Sequence, residues 1–287
     1  MNYANLCVSR RVCPSTVERL VKTLISVCFL GLLMGALSCG NSATASKPQS
    51  GPLSGNWQIA LRRHVLPVPP LIFSGFLVQS GNSVTGALRL GSNCSGVGSV
   101  TGTVDGNSIT LTINESGEEI SLQGSIPTIS TPMTGQFSNL AGGCTAYANT
   151  GTWSAVQIAP ITGTFSGTFT STANIGNPTM NVTGNLEQGA NTGSSTATLT
   201  GAITAATATG FCTYLSSATI TGLISGNAVV LDLYGPDGSE IAQFGNMGIP
   251  PEVKVTPEGT SISGTYFFPS ISSSCPGDQG TFQLTFP

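Results

Sequence analysis

A five-residue pattern of apolar and polar positions recurs along the chain and predicts β-strands. It consists of an apolar residue, Thr or Ser, Gly, any residue and a second apolar residue. Apolar residues four apart, with small or polar residues between them, fit the two-residue period of a half-buried strand. The Gly shares the face of both apolar residues, which favours a bend or a close approach in a strongly curved sheet. The pattern occurs at 84–88, 100–104, 133–137, 161–165, 182–186, 199–203, 220–224 and 262–266.

The order of these predicted strands repeats, which indicates two homologous units. Residues 100–111 align with 220–231 without a gap, so Gly106-Asn107 falls on Gly226-Asn227, a pair typical of a hairpin turn. We place the units at 54–159 and 160–287, and neither contains helical periodicity. Further matches join 55–57 to 163–165, 133–137 to 262–266 and 151–153 to 280–282.

Each unit contains about eight strand candidates joined by short connections. Eight antiparallel strands in simple order can close into an up-and-down barrel. We therefore predict an all-β protein of two tandem antiparallel meanders that form eight-stranded barrels, with β-sandwiches as the alternative. The predicted strands of the first unit start near Gly55, Leu71, Ser83, Gly98, Ser108, Glu118, Pro132 and Thr150.

The opening of each unit carries a short family resemblance. Gly55-Asn56-Trp57 on the first predicted strand resembles the Gly-x-Trp opening of lipocalin and avidin-like barrels. In the second unit Phe165 replaces the Trp, and the likeness covers three residues per unit. It implies a barrel whose open end takes a ligand.

A 14-residue apolar run at 24–37 precedes the repeats and ends at Ser38-Cys39, after which the sequence turns polar. A transmembrane helix needs about 20 apolar residues, so an uncleaved anchor is the weaker interpretation. A positive segment, an apolar segment and a small residue before the cleavage point define a signal peptide. The positive residues are Arg10, Arg11, Arg19 and Lys22.

The cysteine at the cleavage point makes this segment resemble a bacterial lipoprotein signal. That family implies removal of residues 1–38 and acylation of Cys39 as the new first residue. With Gly40 and Asn41 following, and no Asp beside the cysteine, it also implies the outer membrane; ordinary secretion is the alternative. Residues 39–53 are rich in Ser, Ala, Gly and Pro, which predicts a flexible tether.

Four cysteines remain in the two units after Cys39, two at matching places in each unit. Export to an oxidising compartment permits disulfides, and four cysteines allow three connectivities. The duplication selects one bond within each unit, Cys94–Cys144 and Cys212–Cys275. A metal site is the rival interpretation, but the sequence has no C-x-x-C and a single histidine, so we predict no metal.

The charge of the mature protein limits the classes of partner that it is expected to bind. From residue 39 onward the chain has five Lys and Arg against eleven Asp and Glu, a net charge of −6. Charged residues are 7% of the whole chain, where about 25% is usual. Without a basic stripe, nucleic acid is a poor partner. We expect the membrane, reached through the lipid, to be the main partner.

Candidate catalytic residues are few. His64 lies beside Arg62 and Arg63 in a predicted loop after the first strand, where it is solvated or, by the barrel resemblance, touches an anionic ligand. Glu118 and Glu119 are a candidate carboxylate pair for glycoside hydrolysis. Adjacent residues of a strand point to opposite faces, which argues against their acting as a pair. Glu119 also aligns with an acidic residue of the second unit, at position 240, which favours a role in the fold.

The remaining polar and aromatic motifs predict structure more than chemistry. Asp105-Gly106 and Asp237-Gly238 are typical of turns, and calcium binding is their alternative. Trp57 and Trp153 are expected in the core and not in a ligand cage. We predict no catalytic residue and no cofactor.

Three functions compete. The first is a lipid-anchored, non-enzymatic envelope protein that binds a small apolar molecule or a glycan. The second is a structural or adhesive surface protein without a small ligand, and the third is an envelope hydrolase. An apolar cavity open at one end would favour the first, and a filled interior the second.

Overall fold

The computed structural model describes residues 51–64, 69–90, 96–115, 117–127, 132–139, 150–173, 178–191, 193–205, 211–245, 247, 253–270 and 277–287. These residues are mostly in strands, with one short 3₁₀ helix, Thr213–Ser217. No helix in the described ranges is long and apolar enough to cross a membrane. The predicted signal segment and the predicted tether up to residue 50, including Cys39, lie outside the described residues.

The first eight strands form a closed antiparallel barrel, here called barrel 1. Neighbours in sequence are neighbours in the sheet, and β1 pairs with β8 to close it. Each strand begins within one residue of its predicted start, so the strand prediction for the first unit is confirmed. The strands are β1 Gly55–Arg63, β2 Leu71–Ser80, β3 Ser83–Leu90, β4 Val97–Asp105, β5 Ser108–Glu115, β6 Glu118–Ser125, β7 Met133–Asn139 and β8 Thr150–Ile158.

The second unit forms barrel 2 with the same topology. Strand β9 pairs with β17 across the closure, as β1 does with β8. The barrel prediction is therefore confirmed for both units, and the sandwich alternative is wrong. The strands are β9 Thr162–Ser171, β10 Thr179–Gln188, β11 Ala197–Ala205, β12 Ala218–Ser225, β13 Ala228–Tyr234, β14 Glu240–Phe244, β15 Val253–Val255, β16 Ser261–Phe268 and β17 Asp278–Thr285.

One position in barrel 2 departs from barrel 1. Strand β6 is continuous and pairs with β5 and β7, whereas its counterpart is divided into β14 and β15. Strand β14 pairs with β13, and β15 pairs with β16. Two short strands therefore share one place in the wall of barrel 2.

Glycines of the recurrent pattern mark close contacts between neighbouring strands. A Cβ on Gly86 would overlap the carbonyl oxygen of Phe76, and a Cβ on Gly222 would overlap that of Val230. Large side chains opposite these glycines, Leu77 and Leu231, fill the space inside. The expected close approach is confirmed, because only Gly lets the backbones of so curved a sheet come this near.

Three two-residue turns have the sequence Gly-Asn. Gly81, Gly106 and Gly226 have φ of +57°, +57° and +56°, a region that Gly enters without steric cost. Gly106-Asn107 and Gly226-Asn227 connect equivalent strands of the two barrels, as the alignment predicts.

A packed apolar core fills the described interior of each barrel. Trp57 and Trp153 belong to the core of barrel 1, as predicted. In barrel 2 five aromatic rings pack together with centroids 5.1–6.2 Å apart. These are Phe169, Phe244, Tyr266, Phe268 and Phe282.

Candidate functional site

The contact between the barrels is built around Asn56, whose side chain is 2% exposed. Its Nδ2 donates to the carbonyl oxygen of Gly226 at 2.8 Å, and its Oδ1 accepts from the Gly226 backbone N–H at 2.7 Å. One amide side chain thus satisfies both backbone groups at the tip of the β12–β13 hairpin. Buried backbone groups left unpaired are costly, so this pair fixes where the hairpin docks.

Two further polar contacts surround this pair. Gln58 Nε2 donates to Asn227 Oδ1 at 3.0 Å, and the hydroxyls of Ser225 and Ser74 are hydrogen-bonded at 3.0 Å. Gly226 fits closely, since a Cβ there would lie 2.6 Å from the Ser74 Cβ. The hairpin tip of barrel 2 therefore rests directly on the β1–β2 wall of barrel 1.

Apolar side chains complete the contact. Phe76 and Ile158 are in strands of barrel 1, yet both are buried in the apolar cluster of barrel 2. Val156 packs against the same cluster. Strand β8 ends at Ile158 and β9 starts at Thr162, and Pro160 lies between the two sheets. Residues 48–287 consequently form one compact unit.

A cavity of about 680 Å³ lies where the barrels meet, and we call it the junction groove. Serine, asparagine and glutamine side chains line it together with alanine, valine and proline, and none of its lining residues is charged. Val78, an apolar residue of this lining, is 38% exposed. The lining comprises Ser54, Gly55, Asn56, Phe76, Leu77, Val78, Gln157, Ile158, Ala159, Pro160, Gln188, Gly189, Ala190, Asn191 and Pro257.

Several polar side chains of the junction groove are held by backbone groups. Gln157 Nε2 donates to the Ser54 carbonyl oxygen at 3.1 Å. Asn191 Nδ2 donates to the carbonyl oxygens of Ser194 and Thr196 at 3.0 and 2.9 Å. These contacts place the amides at fixed positions in the wall, so an entering ligand meets a preformed surface.

A second polar group lies at the end of barrel 1 where β1 and β5 finish. Glu115 and Glu118 face each other across the β5–β6 turn and are 7% and 4% exposed. Burial, and then the charge of Glu118, raises the pKa of Glu115. Arg63 ends β1, and its Nε is buried without a hydrogen-bond partner in the described structure.

The equivalent end of barrel 2 has a different polar group. Tyr266 Oη donates to Asp278 Oδ2 and Ser171 Oγ donates to Asp278 Oδ1, both at 2.6 Å. Burial, and then the hydrogen bond to Asp278 and its charge, raises the pKa of Tyr266 above its ordinary range. An aspartate held by two hydroxyls beside packed rings is a satisfied buried network.

The sequence by its local patterns identifies only part of these buried polar groups. It argues against a working pair of Glu118 and Glu119 because they point to opposite faces, and in the structure Glu118 is buried while Glu119 is half-buried on the other face of the strand. The carboxylate that faces Glu118 is Glu115, which the register of the predicted hairpin could have revealed. The partners of Asp278 come from two other strands, and nothing local in the sequence joins them.

The predicted disulfide residues fall mostly outside the described ranges. Cys94, Cys144 and Cys275 are among the residues left undescribed, as is the predicted lipid-attachment residue Cys39. Cys212 is buried and disulfide-bonded. The pairings Cys94–Cys144 and Cys212–Cys275 stay predictions.

The other candidates lie in turns and loops as predicted. His64 is exposed in a bend directly after β1. Asp237 and Gly238 form a turn, in which Asp237 Oδ1 accepts from the Ser239 hydroxyl at 2.6 Å and its backbone N–H at 3.0 Å. These hydrogen bonds, the hydroxyl's first, lower the pKa of Asp237. Within the described ranges no three His, Cys, Asp or Glu residues group as metal ligands.

Comparison with known proteins yields no relative. No family model, no curated protein and no solved structure matches this chain. The class that the fold defines is a tandem pair of eight-stranded antiparallel β-barrels, and function has to be argued from the site.

Proposed function

We propose that this chain is a lipid-anchored, non-enzymatic protein of the cell envelope that binds an uncharged glycan in the junction groove. The anchor is an acylated Cys39, and the outer membrane is its location, with secretion as the alternative. The observation that carries the ligand proposal is the junction groove itself, about 680 Å³ in volume and lined without a charged residue.

The chemistry of the junction groove supports a sugar ligand. A sugar presents hydroxyl groups at its edges and C–H groups on its faces, so amides and small apolar surfaces together suit it. Gln157 and Gln188 supply amides. The apolar surface comes from the valine and prolines of the lining. An anionic ligand is disfavoured, because the lining contains no cation to pair with it.

The packed interiors argue against a small apolar ligand held inside a barrel. Residues that would line such a cavity, including Trp57, Phe73 and Phe169, are packed on their neighbours. The same packing favours the alternative, a structural or adhesive protein without a small ligand. An envelope hydrolase is the third candidate, and its carboxylates would be Glu115 and Glu118.

Metabolic labelling with a clickable fatty acid tests the anchor. The parent chain should be labelled and the Cys39→Ala variant should not, because the proposal gives the acyl chains no other attachment point. Cys28→Ala is the matched control and should keep the label, since that cysteine lies in the segment removed on cleavage. Equal labelling of the parent and Cys39→Ala would refute the lipoprotein proposal.

Calorimetric titration with chitohexaose and cellohexaose tests the junction groove. Val78→Trp places a large side chain at an exposed apolar position of the groove and should abolish binding at the junction groove, leaving only the binding that a separate site contributes. Val97→Trp is the control, because Val97 is 55% exposed on the same barrel and does not line the groove. If neither sugar binds, or if both variants bind like the parent, the structural alternative replaces this proposal.

A further inference from the structure

Phe267 is the one exposed Phe, Tyr or Trp side chain among the described residues. It is 60% exposed on the outer face of β16. Its neighbours along the strand, Tyr266 and Phe268, both face the core, as the alternation of a strand requires. A single exposed Phe is common on protein surfaces, so its surroundings decide whether it has a role.

The surroundings of Phe267 form a groove of about 380 Å³ on the outer wall of barrel 2, here called the Phe267 groove. Gln279 lies directly opposite Phe267 on β17, and Gln243 lies on β14. Both glutamines are exposed, so the ring is accompanied by two accessible amides. The lining comprises Thr172, Gln243, Gly245, Thr265, Tyr266, Phe267, Gln279 and Gly280.

One of these amides is already oriented. Gln243 Nε2 donates to Asp232 Oδ1 at 2.7 Å. A glutamine amide has two N–H donors and a carbonyl acceptor, so this contact holds the side chain and leaves hydrogen-bonding capacity for a ligand.

The divided strand of barrel 2 shapes the Phe267 groove. On the side of β16 that faces away from β17, β15 pairs with residues Ile262 to Gly264. No described residue forms a ladder pair on that side with Thr265 or Phe267. The described ladder therefore ends just before the exposed ring, at a place where barrel 1 has the continuous strand β6.

We propose that the Phe267 groove is a second carbohydrate-binding site, which takes one pyranose ring of an uncharged glycan. The C–H face of the sugar would pack on the electron-rich face of Phe267. Its hydroxyl groups would bond to Gln243, Gln279 and Thr265. This site shares no residue with the junction groove, so a test of sugar binding here is independent of the proposal made for the junction groove.

Charge favours a sugar over a lipid surface as the occupant. No Lys or Arg lines the Phe267 groove, and the residue that holds Gln243 is a carboxylate, Asp232. Anionic membranes attract clusters of basic residues, and a stable apolar contact with a bilayer needs more than one ring.

The test is calorimetric titration of the full chain in detergent with cellohexaose and chitohexaose, in a Val78→Trp background that blocks the junction groove. Phe267→Ala should weaken the remaining binding about tenfold, the effect of losing roughly 1.4 kcal/mol of ring contact. Phe267→Trp should retain it, because the larger ring still stacks. Leu223→Ala is the control, since Leu223 is 40% exposed on the same barrel and lies outside the groove.

Three results would overturn the proposal. One is the absence of sugar binding in the Val78→Trp background, and another is unchanged binding by Phe267→Ala. The third is Phe267-dependent binding to phosphatidylglycerol vesicles by chain lacking the acyl group, without sugar binding. Circular dichroism of each variant verifies that the barrels are intact.

Discussion

Asn56 and Thr164 occupy equivalent positions in the first strands of their barrels, but only Asn56 is buried. The amide of Asn56 pairs with both backbone groups of Gly226, whereas Thr164 is exposed. The difference arises because the hairpin of barrel 2 covers one residue and nothing described covers the other. At the residue scale, the contact between the barrels depends on which side chain occupies this position.

Replacing Asn56 should therefore destabilise the protein. Asn56→Ala leaves the N–H and C=O of Gly226 without their partner, which should lower the free energy of unfolding by about 1–3 kcal/mol. Thr164→Ala, the matched control, should change it by less than about 0.5 kcal/mol. Urea denaturation followed by circular dichroism measures both, and equal effects would contradict this account.

Glu115 should make stability depend on pH. Its raised pKa means that the folded state binds the proton more tightly than the unfolded state, whose value is near 4.5. The stabilising contribution is thus present below pH 4.5 and is lost as the pH rises through the folded pKa.

Glu115→Gln should therefore raise the free energy of unfolding at pH 7 and have little effect below pH 4.5, where the carboxyl group is protonated in both the folded and the unfolded chain. Denaturation curves across this range, with the half-buried Glu119→Gln as the control, measure the difference. A stabilisation that does not vary with pH would show that the charge of Glu115 is not its cause.

Two hairpins of the same sequence type have different roles at the scale of the element. Gly106 and Gly226 adopt nearly the same positive φ, but no atom lies within 4 Å of a Cβ built on Gly106. A Cβ on Gly226 would lie 2.6 Å from the Ser74 Cβ. In barrel 1 the glycine is required only by the geometry of its own turn. In barrel 2 the equivalent turn also forms the surface that docks on barrel 1.

This pair separates backbone strain from docking. Gly106→Ala should cost about 1–2 kcal/mol, because an L residue is strained at this φ. Gly226→Ala should cost about 1–3 kcal/mol more, through overpacking against barrel 1. Thermal and urea denaturation give both values, and equal losses would mean that the hairpin tip contributes nothing to the contact.

The whole molecule is two closed barrels joined by a contact whose two sides differ. Barrel 1 supplies the outward-facing Phe76 and Ile158, which are buried against barrel 2. In barrel 2 the position that matches Phe76 is occupied by the exposed Asn185. Phe76 lies opposite Asn56 on the first strand of barrel 1. Asn185 lies opposite Thr164, the equivalent residue on the first strand of barrel 2. The two barrels therefore differ at the position that carries their contact.

Each barrel has its own closed sheet and should fold alone. Separate expression of 54–159 and 160–287 in an oxidising compartment should give β-type circular dichroism and cooperative melts. Both midpoints should lie below that of the full chain, because Phe76, Ile158 and Asn56 lose their partners. If either half stays unfolded, the two barrels are not independent domains.

The strands, their order and the duplication can be read from the amino-acid sequence. Alternating apolar residues and the Gly-Asn turns are local signals, since side-chain direction and turn geometry depend on a few neighbouring residues. For that reason the strand starts of barrel 1 can be predicted within one residue. The outward-facing Phe76 is also visible as an apolar residue on the solvent face of β2, but the sequence does not show what covers it.

The tertiary structure distinguishes a barrel from a sandwich, because closure depends on the pairing of β1 with β8 and of β9 with β17. It also decided the sites. Asn56 meets Gly226 across 170 residues, and Asp278 meets hydroxyls from two other strands. The division of the sixth strand beside Phe267 was likewise outside the prediction. Contacts of this kind depend on how closed sheets place distant residues together, and no local pattern encodes that placement.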